Sequence, residues 1–192
     1  LGNMAKTSLN DFVLITNVID DKLCKNFIES LKEQEKQKHH WYSFESDERY
    51  SHPDKEPDIV WSSELQQGMM QPAIKKAVDE YTQTKVPEPF SSTPIVSRFS
   101  KMRFNIYEEG LTMREHIDHI YSIFDGKEKG IPVLSFVGML NDDYEGGEFI
   151  MNGEKLTLKA GDLLVFPSNF LFPHVVHPVT KGTRYSLVAW GY

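Results

Sequence analysis

The feature that most constrains this chain is the dipeptide Asn152-Gly153, set between residues 148 to 151 and 155 to 158. Asn-Gly suits a type I′ turn, whose two central residues need positive φ, so the flanking runs read as a hairpin. Around that hairpin, turn residues cut the second half of the chain into short apolar runs. Residues 95 to 107 alternate and end at Tyr107, Glu109-Gly110 turns the chain, and residues 112 to 121 form another run. Residues 131 to 140 are nearly all apolar, the pattern of a strand buried on both faces. Asn141-Asp142-Asp143 and Gly146-Gly147 supply turn chemistry around a short acidic loop, and Ala160-Gly161-Asp162 turns the chain again. Residues 163 to 166, 172 to 177 and 184 to 191 read as the last strands. About eight short strands punctuated by Gly, Asn and Asp imply a sandwich or jelly roll.

The first half is built differently. Residues 11 to 18 form a β-branched run that reads as a strand, and Asp20 or Asp21 then caps an amphipathic helix over residues 21 to 36. Ser63-Glu64-Leu65-Gln66 has the form of a capping box, and Met69, Met70, Ile74, Ala77, Val78 and Tyr81 continue a helical pattern. Pro72 deprives the Gly68 carbonyl of its partner, which predicts a kink or a restart of the helix. Residues 85 to 94, with three prolines, serve as a connector. Between the helices, residues 36 to 61 scatter His39, His40, Trp41, Tyr42, Phe44, Tyr50 and Trp61 among charges with no sustained period. So long an aromatic-rich loop reads as functional, and residues 38 to 61 are the candidate substrate lid.

Composition bounds the chemistry. The 28 acidic residues against 21 Lys and Arg give a formal charge of −7, which argues against a dominant phosphate-binding surface and a nucleic-acid partner. Cys24 is the only cysteine, so an intrachain disulfide and a Cys-based zinc or iron–sulfur site are both excluded. The apolar runs are too short to span a bilayer, and no charged start precedes an apolar core. The expectation is a soluble, cytoplasmic protein without a membrane partner. Leu1-Gly2-Asn3, ahead of Met4, is read as extraneous to the fold.

A candidate metal site lies among the predicted strands. His116 and Asp118 are two residues apart, so on a strand both side chains leave one face, about 7 Å apart at the backbone. A third ligand from a distant strand would complete two imidazoles and a carboxylate, the set that leaves open positions in non-haem Fe(II) oxygenases. His174 opens a later strand and fits that need. Arg184 follows ten residues on, with Ser186 on the same face. An inward-facing Arg needs an anion, and a dicarboxylate could meet it with two hydrogen bonds. Strand alternation sends His119 to the opposite face from Asp118. His39, His40 and His52 lie in the loop and are not read as ligands.

Together these residues resemble the 2-oxoglutarate/Fe(II)-dependent dioxygenases, most closely their prolyl 4-hydroxylase-like branch. The resemblance rests on Asn105-Ile106-Tyr107, His116-Ile117-Asp118, the stretch from Leu140 to Phe149, Ala160-Gly161-Asp162, Phe166-Pro167 and the His174 to Arg184 spacing. It covers residues 98 to 192. It implies a mainly β fold with flanking helices, a double-stranded β-helix of the jelly-roll, cupin-like kind, with the N-terminal helices packed on one sheet. Residues 1 to 97 would support the barrel, residues 98 to 192 would be the oxygenase core, and the two would form one structural domain. The family pattern implies Fe(II) on His116, Asp118 and His174, and 2-oxoglutarate held by Tyr107, Arg184 and Ser186. It places Trp190 at the metal pocket and favours His174 over His177, which is left as structural or rim. Asp118, absent from halogenating relatives, favours hydroxylation, with O2 consumed and succinate and CO2 released. Ascorbate is implied by the resemblance alone.

The expected substrate is a prolyl residue in a peptide or protein, gripped in part by Trp41, Tyr42, Tyr50 and Trp61, since aromatic grooves suit extended Pro-rich segments. The alternative is a free amino acid or other small molecule. From a different class, a non-catalytic cupin-like binding protein or a metal isomerase stays open. Neither needs a cation at Arg184.

Overall fold

Asn152 and Gly153 both take positive φ, 51° and 77°, as a type I′ turn requires. The computed structural model describes residues 8–43, 45–118 and 130–192. In chain order the elements are β1 (Leu14–Asn17), α1 (Asp21–Lys32), β2 (Gln37–Lys38), β3 (Trp41–Ser43), β4 (Glu48–Tyr50), β5 (Asp58–Trp61) and α2 (Glu64–Lys85). They continue as β6 (Arg103–Tyr107), β7 (Met113–His116), β8 (Leu134–Met139), β9 (Glu145–Gly146), β10 (Phe149–Met151) and β11 (Glu154–Leu156). The last four are β12 (Asp162–Pro167), β13 (His174–Val176), β14 (Val179–Lys181) and β15 (Arg184–Gly191).

Two antiparallel sheets face each other. The larger runs β1-β12-β8-β15-β6-β5-β2, and the smaller β11-β10-β13-β7. The hairpin at Asn152-Gly153 joins β10 to β11, with Met151 opposite Glu154. This is the jelly-roll arrangement expected from the turn spacing. Successive residues on the strands of the larger sheet alternate between two cores. Phe104, Ile106, Leu163, Val165, Leu187 and Ala189 point outward into a core shared with Phe27 and Leu31 of α1 and Met70, Ile74 and Ala77 of α2. Tyr107, Val137, Leu164 and Phe166 point inward, where they meet Met113, Phe149, Met151 and Val176 of the smaller sheet. The helices therefore cover the outer face of one sheet. Both are capped as their sequences imply, α1 by the Asp20 carboxylate and α2 by a Ser63/Gln66 capping box.

Several local expectations change. α1 stops at Lys32 rather than residue 36, and within the run from 95 to 107 the strand begins only at Arg103. Residues 9 to 12 form a 3-10 turn, and β1 begins only at Leu14. α2 runs on as one helix through Pro72. Gly68 and Pro72 both lie on its exposed side, where water can satisfy a freed carbonyl. Residues 36 to 61 contain four short strands. β5 and β2 extend the larger sheet beyond β6, while β3 and β4 form a separate hairpin. Strands of two to four residues are too short to show a period, and their pairing is set by neighbours distant in sequence. Among the described residues, no helix is long and apolar enough to cross a membrane.

Candidate metal centre and anion pocket

β7 and β13 pair antiparallel with His174 directly opposite His116, so both imidazoles project from one face of the smaller sheet. The register shifts between His174 and Val176, an irregularity of the kind that re-aims a side chain. Each ring is turned by a backbone acceptor. His116 Nδ1–H donates to the Arg114 carbonyl at 2.8 Å, and His174 Nδ1–H donates to the Phe172 carbonyl at 3.0 Å. A carbonyl can only accept, so both Nε2 atoms keep free lone pairs. Phe149 stacks on His174 and Phe166 meets it edge-on, while Trp41 sits edge-on against His116.

Asp118, just past the end of β7, completes the cluster. Its Oδ1 lies 3.9 Å from His116 Nε2 and 4.0 Å from His174 Nε2. One ligand atom from each residue falls within 4.8 Å of the others. The other carboxylate oxygen accepts from the Ser135 hydroxyl, and the Trp190 indole also bonds Asp118. Burial works to raise the Asp118 pKa, but the two histidines and these donors overcome it and hold the carboxyl below its ordinary value. Burial, and then His174 beside it, push His116 down to about 4. At neutral pH, His116 is uncharged and Asp118 ionised, the states a divalent metal needs. The donor set of two imidazoles and a carboxylate fits Fe(II).

Beside the cluster lies an unpaired cation. Arg184, at the first position of β15, is 1 % exposed. Nη1 donates to Ser186 Oγ at 3.0 Å and Nη2 contacts Met139 Sδ at 3.2 Å, while Nε has no partner. Its guanidinium carbon stands 4.9 Å from the Tyr107 ring centroid. Burial raises the Tyr107 pKa against the pull of Arg184 and Arg103, so its hydroxyl remains a donor. Gly147 packs on the arginine stem, where a Cβ would come within 3.1 Å of Arg184 Cδ. Among the described residues no carboxylate pairs with Arg184. A buried guanidinium in this state is costly until an anion meets it.

One cavity connects these parts, lined among others by Tyr107, His116, Asp118, His174, Arg184, Ser186 and Trp190. Of the residues expected near substrate, Trp190 lines the cavity. Trp41 packs behind His116 and donates to the buried Glu56, and Tyr50 lies with Trp41 against Arg114. His177 is half-exposed, with Nδ1 3.8 Å from Glu148 Oε2, away from the cluster. His40 and His52 are exposed. His119 lies outside the described residues.

Sequence reasoning passed over three residues. Arg103 lines the cavity and donates from Nε to Asn105 Oδ1 at 3.0 Å. Burial pulls its pKa below the ordinary value. Ser135 holds Asp118, and its signal was a lone hydroxyl within an apolar strand. Glu56 is 4 % exposed, accepts from Trp41 and Ser51, and sits 3.9 Å from His39 Nδ1. Nothing in its local sequence announces that burial.

Comparison with known proteins agrees with this geometry. The family model described as the 2OG-Fe(II) oxygenase superfamily matches residues 102–192. A PKHD-type hydroxylase of Delftia acidovorans is 38 % identical over 110 residues, covering 53 % of this chain and 47 % of that protein. The PKHD-type hydroxylase PiuC of Pseudomonas aeruginosa is 35 % identical over 94 residues, or 45 % and 41 % of the two chains. The chain thus spans about half the length of the relatives it matches. Among solved structures, the viral collagen prolyl hydroxylase of Paramecium Bursaria Chlorella virus-1 superposes with a TM-score of 0.64 at 15 % identity, over 93 % of this chain and 94 % of that one. A prolyl hydroxylase from Trichoplax adhaerens, solved with a hypoxia inducible factor peptide fragment, gives 0.66 at 17 % identity, over 95 % and 84 %. At such low identity these two speak for the fold, a double-stranded β-helix. In its matched sequence and its His-Asp-His cluster, the chain resembles over residues 102–192 the 2OG-Fe(II) oxygenases, and in its fold the prolyl hydroxylases.

Proposed function

We propose that this protein is an Fe(II)- and 2-oxoglutarate-dependent dioxygenase that hydroxylates a substrate C–H bond, most readily that of a prolyl residue in a peptide or protein. The observation that carries the reading is Arg184, a fully buried guanidinium with no carboxylate partner among the described residues, in the same cavity as the His116-Asp118-His174 cluster. An isomerase or a simple metal-binding cupin has no use for that cation. A dicarboxylate does. His116, Asp118 and His174 would hold the metal, and Arg184, Ser186 and Tyr107 the far carboxylate of the keto acid. Once bound, Fe(II), O2 and 2-oxoglutarate supply the oxidising chemistry, with succinate and CO2 as by-products.

The chain's own work is positional. Ser135 and Trp190 hold the Asp118 carboxylate, and the Phe172 and Arg114 carbonyls hold the histidine tautomers. Phe149, Phe166 and Trp41 pack against the imidazoles and keep water from their flanks. The peptide preference is supported by the prolyl hydroxylase in whose fold this chain is cast, which was solved with a peptide fragment. It is also supported by the Trp41/Tyr50/Arg114 cluster beside His116, which makes residues 38 to 61 a candidate lid.

The test is succinate release with Fe(II), 2-oxoglutarate and proline-containing peptides, comparing wild type with His174→Ala. Wild type should turn over, at least slowly and uncoupled without peptide, and the variant should not. Equal background from both in every condition would sink the oxygenase reading.

A further inference from the structure

A second cation faces the same cavity. Arg103, Asn105 and Tyr107 alternate along the inner face of β6, with Tyr107 paired to Arg184 and Arg103 four residues away opposite Val188. Four residues of strand set the two backbones about 13 Å apart, and the side chains lean toward each other, since Arg184 reaches Ser186 and Arg103 reaches Asn105, which face one another across β15 and β6. The Arg103 guanidinium carbon is 5.6 Å from the Trp190 ring, and its charge is felt by Asp118, His116 and Tyr107. Among the described residues its hydrogen-bond partner is a neutral amide, with Nε donating to Asn105 Oδ1. It makes no ion pair among the described residues.

Charge accounting decides what it awaits. Among the described residues lining the cavity, two arginines face a single aspartate, and imidazoles that hold a metal do so uncharged. A divalent metal and a doubly ionised keto acid cancel one another, so loading the site leaves one positive charge uncompensated. Arg103 is only partly shielded from water, and a charge so placed is ready to pair with an anion that enters the pocket. Arg184, beside Tyr107 and Ser186, is taken up by the cosubstrate, which leaves Arg103, on the Trp190 side of the pocket, for the substrate.

Building on the oxygenase reading, we infer that Arg103 is a specificity residue that binds a carboxylate of the substrate on the Trp190 side of the pocket. The carboxylate is either the α-carboxylate of a free or C-terminal amino acid or an acidic side chain beside the oxidised residue. A planar guanidinium pairs with either by two parallel hydrogen bonds.

The experiment measures binding without turnover. Anaerobic protein loaded with Fe(II) and 2-oxoglutarate is titrated with matched acid and amide pairs, read by tryptophan fluorescence, since Trp190 adjoins Arg103. The pairs are N-acetylproline and its amide, a tetrapeptide ending in proline as acid and as amide, and a peptide with Asp or Asn beside an internal proline. In wild type the acid of at least one pair should bind at least about tenfold more tightly, and the pair that does so identifies the source. Arg103→Gln should reduce that preference to under about twofold while 2-oxoglutarate affinity is kept, and Arg103→Lys should retain part of it. Absence of an acid preference in every wild-type pair, or its survival in Arg103→Gln, overturns the inference. If Arg103→Gln does not fold, the wild-type comparison and Arg103→Lys decide. Failure of wild type to bind 2-oxoglutarate at all would instead remove the oxygenase reading, and this inference with it.

Discussion

The two faces of the larger sheet are made by the same strands and could hardly differ more. On the helix-covered face, Phe104, Phe136, Leu187 and Ala189 are wholly buried and apolar. One residue along each strand, the other face presents Arg103, Asn105, Tyr107, Ser135, Arg184, Ser186 and Trp190. A period of two lets one strand serve both ends without compromise. The outer face gains stability from apolar burial, and the inner face gives part of it up by burying an arginine that lacks an anion. Substitutions on the two faces should therefore move stability in opposite directions.

The largest effect is expected on the outer face. Phe104→Ala removes a ring in edge contact with Phe27 and should cost about 3–5 kcal/mol in a urea titration. Next comes the inner face. Arg184→Met should lower 2-oxoglutarate affinity on the order of 100-fold, by calorimetry. The same change should stabilise the ligand-free protein by about 1–4 kcal/mol, because it replaces an unpaired charge with an apolar stem. A loss of stability there would break the contrast between the faces. Ser135→Ala should weaken metal binding about 10- to 100-fold, with 2-oxoglutarate binding to metal-loaded protein changed less.

The smallest effect lies behind the site, at His39. Burial lowers its pKa from an ordinary 6.5 to about 2, helped by the charge of Arg103. The unfolded chain therefore takes up a proton below pH 6.5 that the folded chain refuses. The sign follows: His39 costs nothing above pH 6.5, and stability is lost progressively as pH falls from 6.5 toward 2, by roughly 1 kcal/mol per pH unit. His39→Gln should flatten the fall in urea midpoint between pH 7 and pH 5. An undiminished fall would assign it to other groups.

Much of this was legible in the chain. The Asn152-Gly153 turn and the two capping residues are local signals that the structure carries as read, and the apolar run at 131 to 140 is a strand buried on both faces over Leu134–Met139, with Ile131 and Val133 left exposed. His116, Asp118, His174 and Arg184 could be grouped because strand alternation and spacing act along the sequence. Arg103 and Glu56 could not. Whether a charged side chain faces water or a cavity depends on which strand lies beside it, and β5 and β6 find each other across α2. The segment from 36 to 61 failed as a loop for the same reason, since two-residue strands have no period of their own.

The pairing of His116 with His174 has a mechanical side as well. Among the described residues β7 is the last strand of the smaller sheet, hydrogen-bonded on one side only and joined to β13 by an irregular register. An ion bridging the two histidines would fasten that loose edge to its neighbour, as a rivet fastens the last plank of a hull. The sheet edge would then slow its amide exchange as iron becomes available, so that the folding of this corner reports on metal supply.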